Sequence, residues 1–309
     1  MKMMNILIAG VLLVVFSHSL YADDSIIIKQ DLLYDKYTLE KDTYVYNKTT
    51  RVIQWDVIKK CLRRIDNFEH QFMVNGILQN YKNKNGHAPL VKNFKKTKWN
   101  RYTDSLGVKQ NQGIPLYDET DLNEPVLYAR DGSYIAIVSD TLDFYKVAIA
   151  CIKGEWYVPR KYVYDLGPVR FNKVIVIDRT NQNIVTLEHV NNEWLVRSKN
   201  PATTGLEKPP FKSATPVGIF VLQNKLLKMI YLEDGSNEVA GYAPYANRIS
   251  DGAYIHGVPV NLPHTEMIEY SSTLGTTPRS HMCVRNATSH AKFIYDWAPK
   301  YGALVCVIE

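Results

Sequence analysis

Between residues 52 and 81, apolar side chains recur at 55, 58, 62, 65, 68 and 72. That spacing of three and four places them along one stripe of a helix. It predicts one long helix, or two broken near Gly76, ending before the turn Lys82-Asn83-Lys84-Asn85-Gly86. From 114 to about 163 the pattern shortens. Segments 126–129, 134–138, 144–152 and 156–158 are rich in β-branched and aromatic residues and predict strands, with tight turns at Asp131-Gly132 and Lys153-Gly154. Asp165-Leu166-Gly167-Pro168 punctuates a boundary. Beyond it, 174–177, 184–189 and 194–197 alternate with Asn-rich turns, the pattern of an antiparallel meander. More strands are expected at 217–222, 226–232, 239–242 and 253–256, and a terminal one at 303–308. Apolar positions 287, 291, 294 and 297/298 predict a helix, with Asn286 or Thr288 as its N-cap.

Length and composition add bounds. The 309 residues, 46% of them hydrophobic, can bury an ordinary core and favour two or three domains. A formal charge of +6 is mild and spread out, apart from the basic loop Lys92-Asn93-Phe94-Lys95-Lys96-Thr97-Lys98, and nothing reads as a nucleic-acid module. The start has the layout of a secretory signal peptide: Met1-Lys2, an apolar core over 6–16, then Leu20-Tyr21-Ala22 before Asp23-Asp24. Cleavage after Ala22 is expected, releasing an exported protein with no stable membrane insertion.

Four cysteines remain, at 61, 151, 283 and 306. An even count in an oxidising compartment suggests disulfides. Two bridges would consume Cys283. Cys306, inside the apolar terminal strand, reads as a buried thiol, and a Cys61–Cys151 bridge is one possible pairing.

The candidate chemistry lies in two stretches, Tyr254-Ile255-His256-Gly257 and Ser280-His281-Met282-Cys283-Val284-Arg285. A cysteine just before a helix would feel the positive end of the macrodipole, which favours thiolate. A histidine could take its proton, so the pattern points to cysteine acyl transfer, with His256 and His281 both candidates for the base. Backbone N–H groups of Met282 and Cys283 could receive an oxyanion. Arg285 could hold a substrate carboxylate or tie down its loop, and Ser280 and Tyr254 could support the pocket. His256, His264, His281, Cys283 and His290 cluster in sequence, but no CxxC or HExxH occurs and zinc spacing is not matched.

The same residues resemble the signature of the L,D-transpeptidases, the YkuD-type cysteine enzymes of bacterial cell walls. That signature is a His-Gly, a spacer, then Ser/Thr-His-Gly-Cys, an aliphatic residue, and Arg or Asn. Upstream, Thr215-Pro216-Val217-Gly218-Ile219-Phe220 is similar to the family's Thr-Pro-x-Gly-x-Phe strand. Here Met282 replaces the usual glycine and the spacer is longer than the family norm. The resemblance implies a mainly β, L,D-transpeptidase-like β-sandwich with one main helix over 167–309. It implies Cys283 as nucleophile and His256 as base, oriented by the Gly257 carbonyl, with His281 in the substrate or oxyanion region.

The strand spacing over 101–166, Gly154-Glu155-Trp156-Tyr157-Val158 above all, resembles a small SH3-like barrel, preceded by a helical region over 23–100. Aromatic residues there fit either a barrel core or a peptidoglycan-binding face. The function implied is cleavage of the terminal D-alanine from peptidoglycan tetrapeptide stems and transfer of the acyl group to an amine, in the periplasm or cell envelope and without a cofactor. The alternatives are a hydrolytic L,D-carboxypeptidase or endopeptidase of the same fold, and a non-catalytic peptidoglycan-binding protein.

Overall fold

The computed structural model describes residues 26–46 and 48–309; the expected signal peptide lies outside the described residues. The fold is mainly β, organised around a six-stranded sheet. Its order is Ile28–Gln30, Glu193–Pro201, Asn183–Val190, Lys173–Asp178, Leu304–Ile308 and Gly218–Val221. The meander strands pair antiparallel, whereas Lys173–Asp178 and Leu304–Ile308 run parallel, as do Ile28–Gln30 and Glu193–Pro201.

Alternation along these strands sends side chains to both faces. Val174 and Val176 join Val185, Leu187 and Leu304 in one core, covered by helix α1 (Trp55–Gln71) through Ile58, Leu62 and Ile65. Ile175 and Ile177 face a second core with Val305, Val307 and Phe220. Because both faces are covered, Leu304–Ile308 is buried at every position. The second core is closed by helix α2 (Thr288–Trp297) and by a smaller sheet. That sheet runs in the order Asn224–Leu232, Val239–Ser250, Ala253–His256 and Val284–Arg285.

A third sheet, all antiparallel, has the order Ile152–Pro159, Phe144–Ile149, Tyr134–Asp140, Asn75–Leu78 and Val163–Gly167. No closed barrel forms among the described residues. The sheet takes one inner strand from before residue 100, so it reaches across the boundary expected there.

Several local expectations are corrected. The helix over 52–81 stops at Gln71, where Phe72 turns extended, and Gly76 lies in the Asn75–Leu78 strand rather than at a helix break. A Cβ at Gly76 would lie 3.0 Å from the Tyr164 carbonyl oxygen, so pairing with neighbouring strands overrides the helical spacing there. The Lys153-Gly154 turn is instead a bulge: Ala148 pairs with Glu155 and Ile149 with Ile152, leaving 153 and 154 extra on one strand. Gly154 supplies the φ of +96° that this bulge uses, and the chain reverses at residues 150–151.

The cysteine pairing also differs from expectation. Cys306 is not a free thiol; it is bridged to Cys61, 245 residues earlier, and Cys151 is free. The reason is α1's docking. Cys61 is on its buried stripe, and Cys306 alternates with Leu304 and Ile308 onto the same face of the sheet. Cys151 is exposed at its turn, but its sulfur turns inward and accepts a hydrogen bond from the Ile219 N–H at 2.9 Å.

Candidate active site

The site is built on one face of the smaller sheet. Ala253–His256 and Val284–Arg285 run parallel, with Ile255 opposite Val284 and His256 opposite Arg285. Ile255 and Val284 are fully buried in the second core. Alternation therefore turns Tyr254, His256, Cys283 and Arg285 to the other face, with Cys283 and His256 diagonal neighbours.

His256 is 3% exposed, and its Nδ1 lies 2.6 Å from the Gly257 carbonyl oxygen. A donor at Nδ1 leaves Nε2 as the acceptor. Gly257 is needed for close packing: a Cβ there would lie 2.7 Å from Thr288 Oγ1 and 2.9 Å from Pro244 Cγ. Thr288, at the start of α2, receives the Val258 N–H and donates to the Ile268 carbonyl, so one hydroxyl fixes the chain beyond His256.

Cys283 carries a free thiol. The residue is partly accessible, yet protein surrounds its sulfur, which sits 3.5 Å from the Gly252 carbonyl oxygen. Burial pushes the thiol up to about 11, against the Tyr254 N–H and the Arg285 charge, which act to lower it. Burial also holds His256 down at about 4, with a backbone hydrogen bond to Gly257 opposing and the Arg285 charge adding to the fall. The resting pair is therefore a neutral thiol and a neutral imidazole. This corrects the thiolate expected from a helix N-terminus. The strand Val284–Arg285 stands between Cys283 and α2, whose N-cap is Ala287, and dipole stabilisation fades within the first turn.

The loop carrying the nucleophile is braced by a segment that the sequence pattern left without a role. Thr215 Oγ1 donates to the Met282 carbonyl at 2.8 Å and accepts the Gly205 N–H at 2.9 Å. Thr204 and Leu206 bond the backbone of Ser280, and Ser213 N–H reaches the His281 carbonyl. The Ser280 hydroxyl donates to the Cys283 carbonyl. Neither the Met282 nor the Cys283 amide donates to a protein group among the described residues. Met282 has no positive φ, so a side chain at that position is unstrained.

His281 is exposed and faces away from the pair, its Nε2 2.7 Å from Asp234 Oδ1. His290 belongs to the core, bonded to Ser198 and Asn286 and held down at about 3 by burial. Arg285 is half-buried and forms no ion pair among the described residues; its Nε has no partner. It lines a cleft of about 760 Å³ between the 206–212 and 258–274 segments.

Behind the sulfur lies a seam with the third sheet. The fully buried Asp131 receives the N–H groups of Asn80 and Tyr81 through Oδ1. Its Oδ2 pairs with Arg248 and receives Gln223 Nε2 at 2.9 Å. Arg248 stands opposite Tyr254 in the strand register and stacks on the Tyr81 ring, 4.4 Å from its centroid.

The two buried histidines make stability fall with acid. Their folded values lie below the ordinary 6.5. The stability they contribute is full above that value and is lost as pH falls through 6.5 towards 4 and then 3. A loss of a few kcal/mol between pH 6.5 and 4 is expected. Chemical denaturation across that range checks it, and a flat profile would refute the neutral buried assignment.

The family model of the YkuD L,D-transpeptidase catalytic domain matches residues 172–307. No curated protein matches the sequence. Among solved structures, the chain is similar to a fused Zn-dependent amidase/peptidase/peptidoglycan-binding domain-containing protein of Clostridium acetobutylicum. Identity is 22%, over 46% of this chain and 53% of that one, with a TM-score of 0.33. The chain thus spans about half the length of that protein. It is also similar to an L,D-transpeptidase from Mycobacterium smegmatis, at 19% identity over 57% of this chain and 82% of that one, TM-score 0.36. L,D-transpeptidase 3 from Mycobacterium tuberculosis, in complex with a faropenem-derived adduct, is 20% identical over 50% and 73%, TM-score 0.35. With the family model falling on the sheets that carry Cys283 and His256, residues 172–307 are a YkuD L,D-transpeptidase catalytic domain.

Proposed function

We propose that the protein is an exported L,D-transpeptidase that uses Cys283 and His256 to transfer acyl groups between peptidoglycan stems. The observation that carries this reading is an unbridged Cys283 thiol on the same sheet face as a buried, neutral His256 whose Nδ1 is held by Gly257. In the first half-reaction, Sγ attacks the carbonyl between the third stem residue and the terminal D-alanine, and His256 Nε2 takes the thiol proton. The Met282 and Cys283 N–H groups receive the oxyanion. As the C–N bond breaks, the imidazolium returns its proton to the leaving amine of D-alanine, and a thioester remains. In the second, an acceptor amine attacks the thioester and loses its proton to His256, which returns it to the departing sulfur.

A neutral resting pair suits this order of events, because charge separates only while substrate is bound. No cofactor enters. The Cys61–Cys151–Cys306 set supports export, since the Cys61–Cys306 bridge requires an oxidising compartment.

Incubation with purified tetrapeptide muropeptides, followed by mass spectrometry, tests the reading. Crosslinked dimers are expected. Tripeptide alone would replace transfer with hydrolysis, and unchanged tetrapeptide would leave a non-catalytic wall-binding protein.

A further inference from the structure

We infer that the cleft beside Cys283 selects acyl-donor stems by their free carboxylates, through Arg285, Arg279 and Lys212. The cleft wall contains these three cations and no acidic residue. None of the three forms an ion pair or a side-chain hydrogen bond among the described residues. Elsewhere the protein pairs its buried cations carefully: Arg248 with Asp131, Arg197 with Glu188, Lys199 with Asp42. Burial and the nearby Arg279 charge both hold Arg285 below the usual guanidinium range. Unpaired like charges in one concavity cost free energy unless an anion joins them.

The cations are also rigidly rooted. Arg285 is in a strand that bonds Thr203 on both backbone groups, and the Arg279 N–H is held by the Thr204 carbonyl at 2.9 Å. Rigid guanidinium forks suit planar carboxylates. Position completes the argument. Arg285 lies two residues from Cys283 on the same face, about 7 Å along the strand. A carboxylate on Arg285 would therefore lie within about one residue of a carbonyl at the sulfur. Tyr270 lines the same cleft and offers an apolar wall for the peptide between the charges.

This inference rests on the proposed stem-peptide substrate. In such a stem, the relevant carboxylates belong to the acidic second residue and to a diamino diacid at the third. The terminal D-alanine carboxylate is common to all donors and leaves with its residue.

Four synthetic tetrapeptides make the test: both carboxylates free, the second residue amidated, the third amidated, and both amidated. Binding is measured by calorimetry on full-length Cys283→Ala protein, and turnover on the wild type. Each amidation is expected to weaken binding and lower kcat/KM about ten- to hundredfold, and the two singly amidated peptides show which carboxylate is read. Arg279→Gln and Lys212→Gln are expected to shrink the ratio between free and doubly amidated peptide. Equal binding of all four peptides, tighter binding of the amidated forms, or no measurable binding would overturn the inference. Selective binding without turnover would uphold the cleft assignment and reject the transpeptidase reading instead. Turnover of all four at one rate would do the reverse.

Discussion

Cys283→Ala protein forms no covalent adduct with a carbapenem and gives no muropeptide dimers, a fall in acyl transfer of about 10³-fold or more. Its folded state changes little, by about 1 kcal/mol, because the sulfur has only a long contact with the Gly252 carbonyl and the residue is partly accessible. His256→Ala should lose about 10²- to 10⁴-fold, the usual range for a positioned general base. His281→Ala should lose less than about tenfold, since its ring is engaged with Asp234 at the surface. Intact-mass analysis reads the adduct, and dimer formation reads transfer. A Cys283→Ala protein that still acylates, or a His281→Ala protein as impaired as His256→Ala, would displace the assignment. The buried pair also sets a pH signature. With the thiol up at about 11 and the imidazole down at about 4, kcat/KM should stay level over most of the interval between them.

Loss of the Cys61–Cys306 bridge is the largest expected change in stability. The bridge closes a loop of 245 residues between α1 and the middle layer, and chain-entropy reasoning assigns such a loop up to about 5 kcal/mol. Measured losses for native bridges are commonly about 2–5 kcal/mol. For a protein of this size that corresponds to a Tm lower by roughly 5–15 °C. A Cys61→Ser, Cys306→Ser double variant should show this shift without reductant, and wild type should show it with reductant. Cys151→Ser should melt with the same reductant sensitivity as wild type, because its sulfur is unbridged. A double variant as stable as wild type would remove the bridge from the account of stability.

Much of the catalytic half can be read from its residues because local pattern and tertiary demand agree there. The meander over 174–197 alternates as its strands require, and the apolar spacing after Asn286 becomes α2. Ile255 and Val284 point into the core, which is what turns His256 and Cys283 to a common face. Where long-range packing decides, the sequence is silent. Nothing in the spacing around Gly76 announces that a sheet will recruit it, and nothing around Cys306 shows that α1 will dock opposite. The thiolate expectation failed because two residues of strand separate Cys283 from the helix. Thr215 was visible within a motif, but its task, gripping the Met282 carbonyl, exists only once residues 67 positions apart meet. Likewise Arg279 and Lys212 are ordinary surface cations in the sequence, and only the folded cleft gathers them with Arg285.

Gly132 has a bearing on how this architecture could be recombined. At φ +84° it lets a turn of the third sheet come so near the catalytic half that a single methyl would stand 2.3 Å from the Ile249 carbonyl oxygen and 2.5 Å from Gln223 Nε2. Its own carbonyl takes the Val221 N–H at 2.9 Å, and Ser133 bridges to Phe220 alongside. Swapping in a foreign leader module would strip that edge strand of its partner and leave the Arg248 guanidinium buried without a counter-charge, a deficit of about 3–5 kcal/mol. The two portions are thus mortised together, and an exchange of one for an unrelated piece would have to recreate the joint before the cysteine could function.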